Sequence, residues 1–309
     1  MHRCSGSRQD GSALLLALVA AALAAVLAVG LVERAQRSLA RTEALVAAER
    51  GWQYARGMDE IAVALLRRAR SEGIDPALLD GAWSQPFEVP GGVVQGRLID
   101  QNARFNVNAL AHPDGATAAA AQAAFRRLLD ALGLDRIIAD ELADWLDGAS
   151  VPSPGSAATN WYSRRDPPYR TAGVVLANTS ELRWLRSVDH EAWLALAPLV
   201  SALPEPELVV NVNTTSPEVL AALLPALEPG QARRVLTDKP FSDLPAFERH
   251  PLVAPVMRPD VRRHLTVSSR WYLAQARVVL DEVTRDYFRL MIPEVPGYDG
   301  FRYVSQGVP

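Results

Sequence analysis

Residues 12–32 read SALLLALVAAALAAVLAVGLV, 21 positions without a charge. As a helix the run is long enough to cross a bilayer, which takes about 20 apolar residues. Ahead of it stands MHRCSGSRQDG, residues 1–11, where Arg3 and Arg8 mark the side that stays in the cytoplasm. The bulk of the chain is then expected across the membrane. A secretory signal peptide has a shorter apolar core and a small-x-small cleavage site followed by polar sequence. The Ala-x-Ala triplets here lie inside the apolar run, which continues past them. An uncleaved signal anchor fits the segment. So does a leader cut on the cytoplasmic face, between Gly11 and Ser12.

Past Val32 the pattern turns amphipathic. Ala35, Leu39, Thr42 and Val46 recur at helical spacing, and Met58, Ile61 with Ala62, Leu65 and Ala69 resume that face. No proline occurs before Pro76, so one helix is expected from about residue 12 to about residue 70, roughly 90 Å at 1.5 Å per residue. Turn-forming residues fill 73–92, after which Val93, Val94, Leu98 and Ile99 favour a strand. Phe105, Val107 and Ala109 alternate with Arg104, Asn106 and Asn108 as a further strand. Strand signals return at 264–268, 271–280 and 287–292, with DEVTRD (281–286) reading as the turn between the last two. Between these blocks the pattern is helical at 116–131, 136–146, 217–227 and 231–236. Another helix is expected to start at Ser180-Glu181-Leu182, with Trp184 and Leu185 on its apolar face. The fold class is therefore α+β, an antiparallel sheet interrupted by a helical insert. The division is 1–11 leader, 12–70 helix, 71–110 with 260–309 sheet, and 111–259 insert.

A weak internal echo sits in that insert. Phe105-Asn106-Val107-Asn108-Ala109 recurs as Val210-Asn211-Val212-Asn213-Thr214. The four asparagine side chains are expected to cap the turns or helices that follow them. The spacing of about 105 residues is too long for a solenoid repeat.

Composition narrows the chemistry. The net charge is −3, and Lys239 is the only lysine, so nothing favours nucleic acid. Cys4, the single cysteine, precedes the apolar run, and the chain beyond it has no disulfide or thiol site. His2, His112, His190, His250 and His264 show no metal-ligand spacing. Asp189-His190-Glu191 reads as a solvated cluster. No phosphate-binding, dinucleotide or nucleophile-elbow motif is present, and no enzyme is expected. The rival class is an exported DNA-binding protein. Asn211–Thr214 followed by 220–236 resembles a helix-hairpin-helix, with Glu228-Pro229-Gly230 as its hairpin and Arg233, Arg234 and Lys239 beyond.

Several runs together resemble a family, the K-type minor pseudopilins of type II secretion (general secretion pathway protein K). They are DQNARFNVNAL (100–110), LADWLD (142–147), DPPYR (166–170), SELR (180–183) and NVNT (211–214), matching in order and spacing over essentially the whole chain. The resemblance implies a pilin-like spine helix on a small sheet, interrupted by a large helical domain. It implies cleavage after Gly11 by the prepilin peptidase, methylation of the new amine on Ser12, and a single-pass place in the inner membrane with the bulk periplasmic. It implies assembly with the I-type and J-type minor pseudopilins, among other pseudopilins, at the tip of a pseudopilus that it helps to start. Most pilin-like proteins carry a glutamate at the fifth position after the cut, where Leu16 stands here. A buried carboxylate needs a partner, and the first subunit of a fibre has no earlier neighbour to supply one. Some members hold calcium in the loop after the Asp-Trp-Leu-Asp segment. Asp144, Asp147 and Asn160 remain here as oxygen donors, but Ala149, Ala158 and Thr159 stand where the family has acidic residues, leaving few carboxylates for a hard cation.

Overall fold

The computed structural model describes residues 10–74, 81–148, 153–154, 159–281, 283–292 and 301–306. Contacts divide the chain into two compact units, Met1–Gln53 and Tyr54–Pro309.

The first helix, α1, runs from Asp10 to Ser71. Alanine and leucine dominate it, and both are strong helix formers whose summed propensity outweighs about 1 kcal/mol for each interior glycine. Within the first unit its residues 13–46 are exposed throughout, Leu39 and Val46 included. Within the second unit the buried residues are Ala55, Asp59, Ala62, Leu66 and Ala69, a 4-3-4-3 spacing that holds one face of a helix against a neighbour. This seam lies rotated from the one that hydrophobicity alone predicts. Ile61 and Leu65 are 49% and 44% exposed, while Asp59 sits inside. The reason is Arg289, whose Nε pairs with the Asp59 carboxylate with both side chains almost fully buried. A charge reads as surface in the sequence, but paired across a helix–sheet interface it can be interior.

That sheet has five antiparallel strands in the order β1-β2-β7-β8-β9. They are β1 (Phe87–Val89), β2 (Gly92–Asp100), β7 (Tyr272–Leu280), β8 (Val283–Met291) and β9 (Phe301–Gln306). One face packs Leu98, Tyr272, Ala274 and Met291 against Ala62 and Leu66 of α1. The other packs Trp271, Leu273, Phe288, Leu290 and Ile292 with Leu203 of the insert. Gly92 permits the pairing of β2 with β7, because a Cβ there would lie 1.8 Å from the Val279 carbonyl oxygen.

Two strand expectations towards the C-terminus change. β8 begins at Val283 rather than after Asp286. Its polar opening is strand, since Arg277 on β7 forks onto Asp286 at 2.9 and 3.0 Å. Asp281, with φ of 47°, takes the left-handed geometry that a tight hairpin needs and that aspartate tolerates. The second change is at 264–268, where the strand is only β6 (Leu265–Thr266), outside the main sheet. β9 was not foreseen, although Phe301-Arg302-Tyr303-Val304 alternates as a strand should.

Between β2 and β7 lies the insert. Its helices are α2 (Gly115–Ala131), α3 (Ile137–Asp147), α4 (Thr159–Tyr162), α5 (His190–Leu196), α6 (Pro217–Leu223), α7 (Pro229–Val235), α8 (Leu244–Glu248) and α9 (Pro259–Arg262). One core joins them, centred on Phe105, Phe125, Leu128, Leu142, Leu220 and Phe247. Two short parallel bridges tie it together. β3 (Phe105–Asn106) pairs with β4 (Val200–Ser201), and β5 (Val210–Asn211) pairs with β6. The expected strand at 105–109 is thus two residues long, followed by a 3-10 turn over Val107–Ala111. The expected helix start at Ser180 is a 3-10 turn, Thr179–Trp184, capped one residue earlier by Asn178. Leu185 is buried there, but Trp184 is 50% exposed.

Candidate functional site

Gly11 and Ser12 lie in the first turn of α1, and Leu16 follows on the same helix, 69% exposed. Around it Leu14, Leu15, Leu18, Leu23, Val26 and Leu27 are each more than half exposed. An apolar surface on every side of a helix finds cover only in lipid or among other apolar helices. The segment is long and apolar enough to cross a membrane.

The second candidate is the loop after α3. Asp144 accepts from the Ser153 N–H at 2.7 Å and from the Ser153 hydroxyl at 2.8 Å, one bond to each carboxylate oxygen. Asp147 ends α3 and is exposed. Asn160 falls in α4, its side chain outside the described residues, as are Ala149 and Ala158. Among the described residues no three acidic, histidine or cysteine side chains gather into a cation site. Calcium needs six to eight oxygens; Asp144 is here engaged by the protein's own Ser153, and most of the remaining loop lies outside the described residues. Gly148 closes the helix at φ of 62°, where a Cβ would come within 2.9 Å of Gly173 Cα. Aromatic rings continue the support. Tyr162 packs edge-on against Trp145 with centroids 5.3 Å apart, and Tyr169 follows at 5.2 Å from Tyr162.

The echoed asparagines form the third arrangement. Asn108 donates from Nδ2 to the Leu176 and Leu203 carbonyls, each at 2.8 Å, and accepts the Leu176 N–H at 2.8 Å. Asn213 repeats this. It donates to the Phe241 and Val267 carbonyls at 3.0 and 3.1 Å and accepts the Phe241 N–H at 2.7 Å. The first asparagine of each pair makes the predicted local cap. Asn106 Oδ1 accepts from Asn108 N–H at 3.2 Å, and Asn211 Oδ1 from Asn213 N–H at 2.9 Å. Each then reaches farther, Asn106 to the Glu205 and Glu207 carbonyls and Asn211 to the Ser269 hydroxyl. Sequence reasoning found the caps but missed the braces, whose partners lie 58–101 residues away for Asn106, Asn108 and Asn211, and 28 and 54 residues away for Asn213.

Beside the β5–β6 bridge sits His264, 8% exposed. Its ring bonds the Leu208 carbonyl through Nδ1 at 2.9 Å, and Arg263 Nε donates to Nε2 at 3.3 Å. Burial holds its pKa below the usual histidine value; Arg263 and His112 push the same way, while the Leu208 carbonyl and Asp260 oppose them. A depressed folded pKa means that the unfolded chain binds the proton better. Stability is therefore complete above about pH 6.5 and is lost as the pH falls. The denaturation midpoint is expected to drop between about pH 7 and pH 5, and His264→Gln to flatten that part of the profile.

The hairpin of the DNA-binding alternative is α6 to α7. Glu228 occupies the N-cap of α7, and its N–H is taken by the Gln231 side chain at 2.9 Å. A phosphate would need those amides free and would meet the Glu228 carboxylate instead.

Known proteins agree on a relationship. Two family models match, both described as type II secretion system (T2SS), protein K, over residues 103–205 and 210–268. Type II secretion system protein K of Klebsiella pneumoniae is 33% identical over 290 residues, covering 88% of this chain and 89% of that protein. The Pseudomonas aeruginosa protein of the same name is 34% identical over 247 residues, covering 74% and 72%. Among solved structures, a chain of the GspK-GspI-GspJ complex from enterotoxigenic Escherichia coli superposes with a TM-score of 0.73. It covers 87% of this chain and all of its own at 23% identity, a likeness of fold. On these matches, which span the insert and most of the chain's length, the protein belongs to the type II secretion system protein K family.

Proposed function

We propose that this chain is a minor pseudopilin forming the tip of the periplasmic pseudopilus, assembled with the I-type and J-type minor pseudopilins and starting fibre assembly. The observation that carries this is α1. One continuous helix bears an exposed, uncharged span without a carboxylate at Leu16 and ends as the helix packed on the sheet by Asp59 and Arg289. Subunits whose helices leave the same membrane in parallel bury such spans against each other. Family membership supports the secretion role, which is structural rather than enzymatic. The complex whose chain shares this fold pairs K with I and J, which supports those partners. The insert, lying between Asp100 and Tyr272, is bulk that a subunit stacked above would meet, and this favours the last position in the fibre. In the same reading residues 1–11 are a leader removed by the prepilin peptidase, residues 12–70 form the spine, 71–110 with 260–309 the pilin-like sheet, and 111–259 the tip domain. The amino terminus is cytoplasmic and the bulk periplasmic.

The test is assembly. Full-length chain in mild detergent, mixed with the I-type and J-type proteins of the same organism and sized by light scattering, is expected to give one copy of each. No association at tens of micromolar, with all three folded, would overturn the tip assignment.

A further inference from the structure

The insert carries a surface that neither the fibre nor the span accounts for. Between Trp161 and Arg186 the chain has Arg164, Arg165, Arg170, Arg183 and Arg186 against Asp166 and Glu181, a local charge of +3 in a chain of −3. Two of these charges are already used. Arg186 pairs with buried Glu141 at 2.8 Å, and Glu181 accepts the N–H groups of Ala177 and Asn178 at 2.8 and 2.9 Å. Arg164, Arg165, Arg170 and Arg183 are exposed and form no ion pair with a carboxylate among the described residues.

Among these arginines runs a stack of rings. Trp161 stands edge-on to Tyr162 with centroids 5.0 Å apart, Tyr162 leads to Tyr169, and Tyr169 meets Trp184 at 5.0 Å. Its inner members, Tyr162 and Trp145, are anchored in the core. Its outer end is open, with Trp184 half exposed and Arg165 lying 4.6 Å over the Trp161 ring. The Tyr169 hydroxyl donates to the Trp184 carbonyl at 3.1 Å, which ties Tyr169 to the backbone that carries the outer ring. An exposed tryptophan packed on Tyr169, beside arginines that form no ion pair among the described residues, has the composition of a binding hot spot, where Trp, Tyr and Arg dominate.

We infer that the surface formed by Trp161, Tyr169 and Trp184 with Arg165, Arg170 and Arg183 docks an acidic segment of another protein that carries apolar side chains. Charge complementarity selects the acid, and the open rings select the apolar component. A duplex fits less well, because the remainder of the chain carries −6 and would repel an extended polyanion. The inference stands apart from the tip assignment, since it needs neither the I-type nor the J-type protein.

The experiment uses the full chain in neutral detergent and a fluorescein-labelled peptide of about 12 residues alternating Glu and Phe, followed by anisotropy at low salt. Saturable binding is expected. It should weaken about tenfold in Trp184→Ala and much less in Trp184→Phe. It should weaken at least about 30-fold in the Arg165→Glu, Arg183→Glu double variant. The Arg233→Glu, Arg234→Glu variant carries the same charge change on exposed positions of α7 and should stay within about twofold of the parent. Four results would each overturn the proposal. They are no binding at about 200 µM peptide, equal weakening by the α7 variant, no effect of Trp184→Ala, and tighter binding of a labelled duplex or of anionic vesicles through these same residues.

Discussion

Asn108→Ala is expected to destabilise the folded domain by about 3–5 kcal/mol. It removes three hydrogen bonds and strands the Leu176 N–H, the Leu176 carbonyl and the Leu203 carbonyl. Both of those residues are buried, at 2% and 4% exposure, so water does not reach the abandoned groups easily. Each buried polar group left without a partner costs about 1–3 kcal/mol, a carbonyl less than an N–H. Asn108→Asp should be no better, since it keeps the acceptor, loses two donors and buries a charge. Asn213→Ala should follow the same course at about 2–4 kcal/mol. It is milder because Val267, one of its acceptors, is only partly buried. Denaturant unfolding of the full chain in detergent, followed by tryptophan fluorescence, reads both. A loss below about 1 kcal/mol in Asn108→Ala would mean that the asparagine is a local cap and nothing more.

Gly11→Val is expected to abolish leader removal. The chain would accumulate in the membrane as one heavier species that keeps residues 1–11, and Met1 rather than Ser12 would carry the amino terminus. The control is Gly30→Val, in the same helix and the same apolar run, where a Cβ meets nothing within 4 Å. That change should leave processing intact. Mass spectrometry of the membrane-bound chain separates the two. Normal processing of Gly11→Val would remove the pilin-like leader from the account and leave an ordinary signal anchor.

The arrangement of the asparagines bears on how the insert is built. Each pair opens on a two-residue parallel bridge, turns, and enters a helix, and the second asparagine then pins one distant residue by both its N–H and its carbonyl. Two such units stand about 105 residues apart in the insert. The similarity of the predicted destabilisations rests on that likeness.

The sequence by itself determined whatever depends on near neighbours along the chain. The uncharged run of 12–32 and the absence of proline before Pro76 fixed α1, because helix formation is decided over a few turns. The helices at 116–131 and 136–146 were legible for the same reason, as were the local caps of Asn106 and Asn211. Ordered motifs from 100 to 214 carried the family resemblance without any structure. Tertiary structure alone decided which face of α1 is buried, since Asp59 reads as surface until Arg289, 230 positions away, is placed beside it. It decided that Arg285 and Asp286 belong to a strand, because β7 arrives beside them and brings Arg277 onto Asp286. It decided that the loop after α3 spends Asp144 on Ser153, and that Trp184 stands in solvent rather than on an apolar face. Periodicity records what a segment can bury. Which segment arrives to be buried against, and which charge arrives to be paired, is settled only when distant parts of the chain meet.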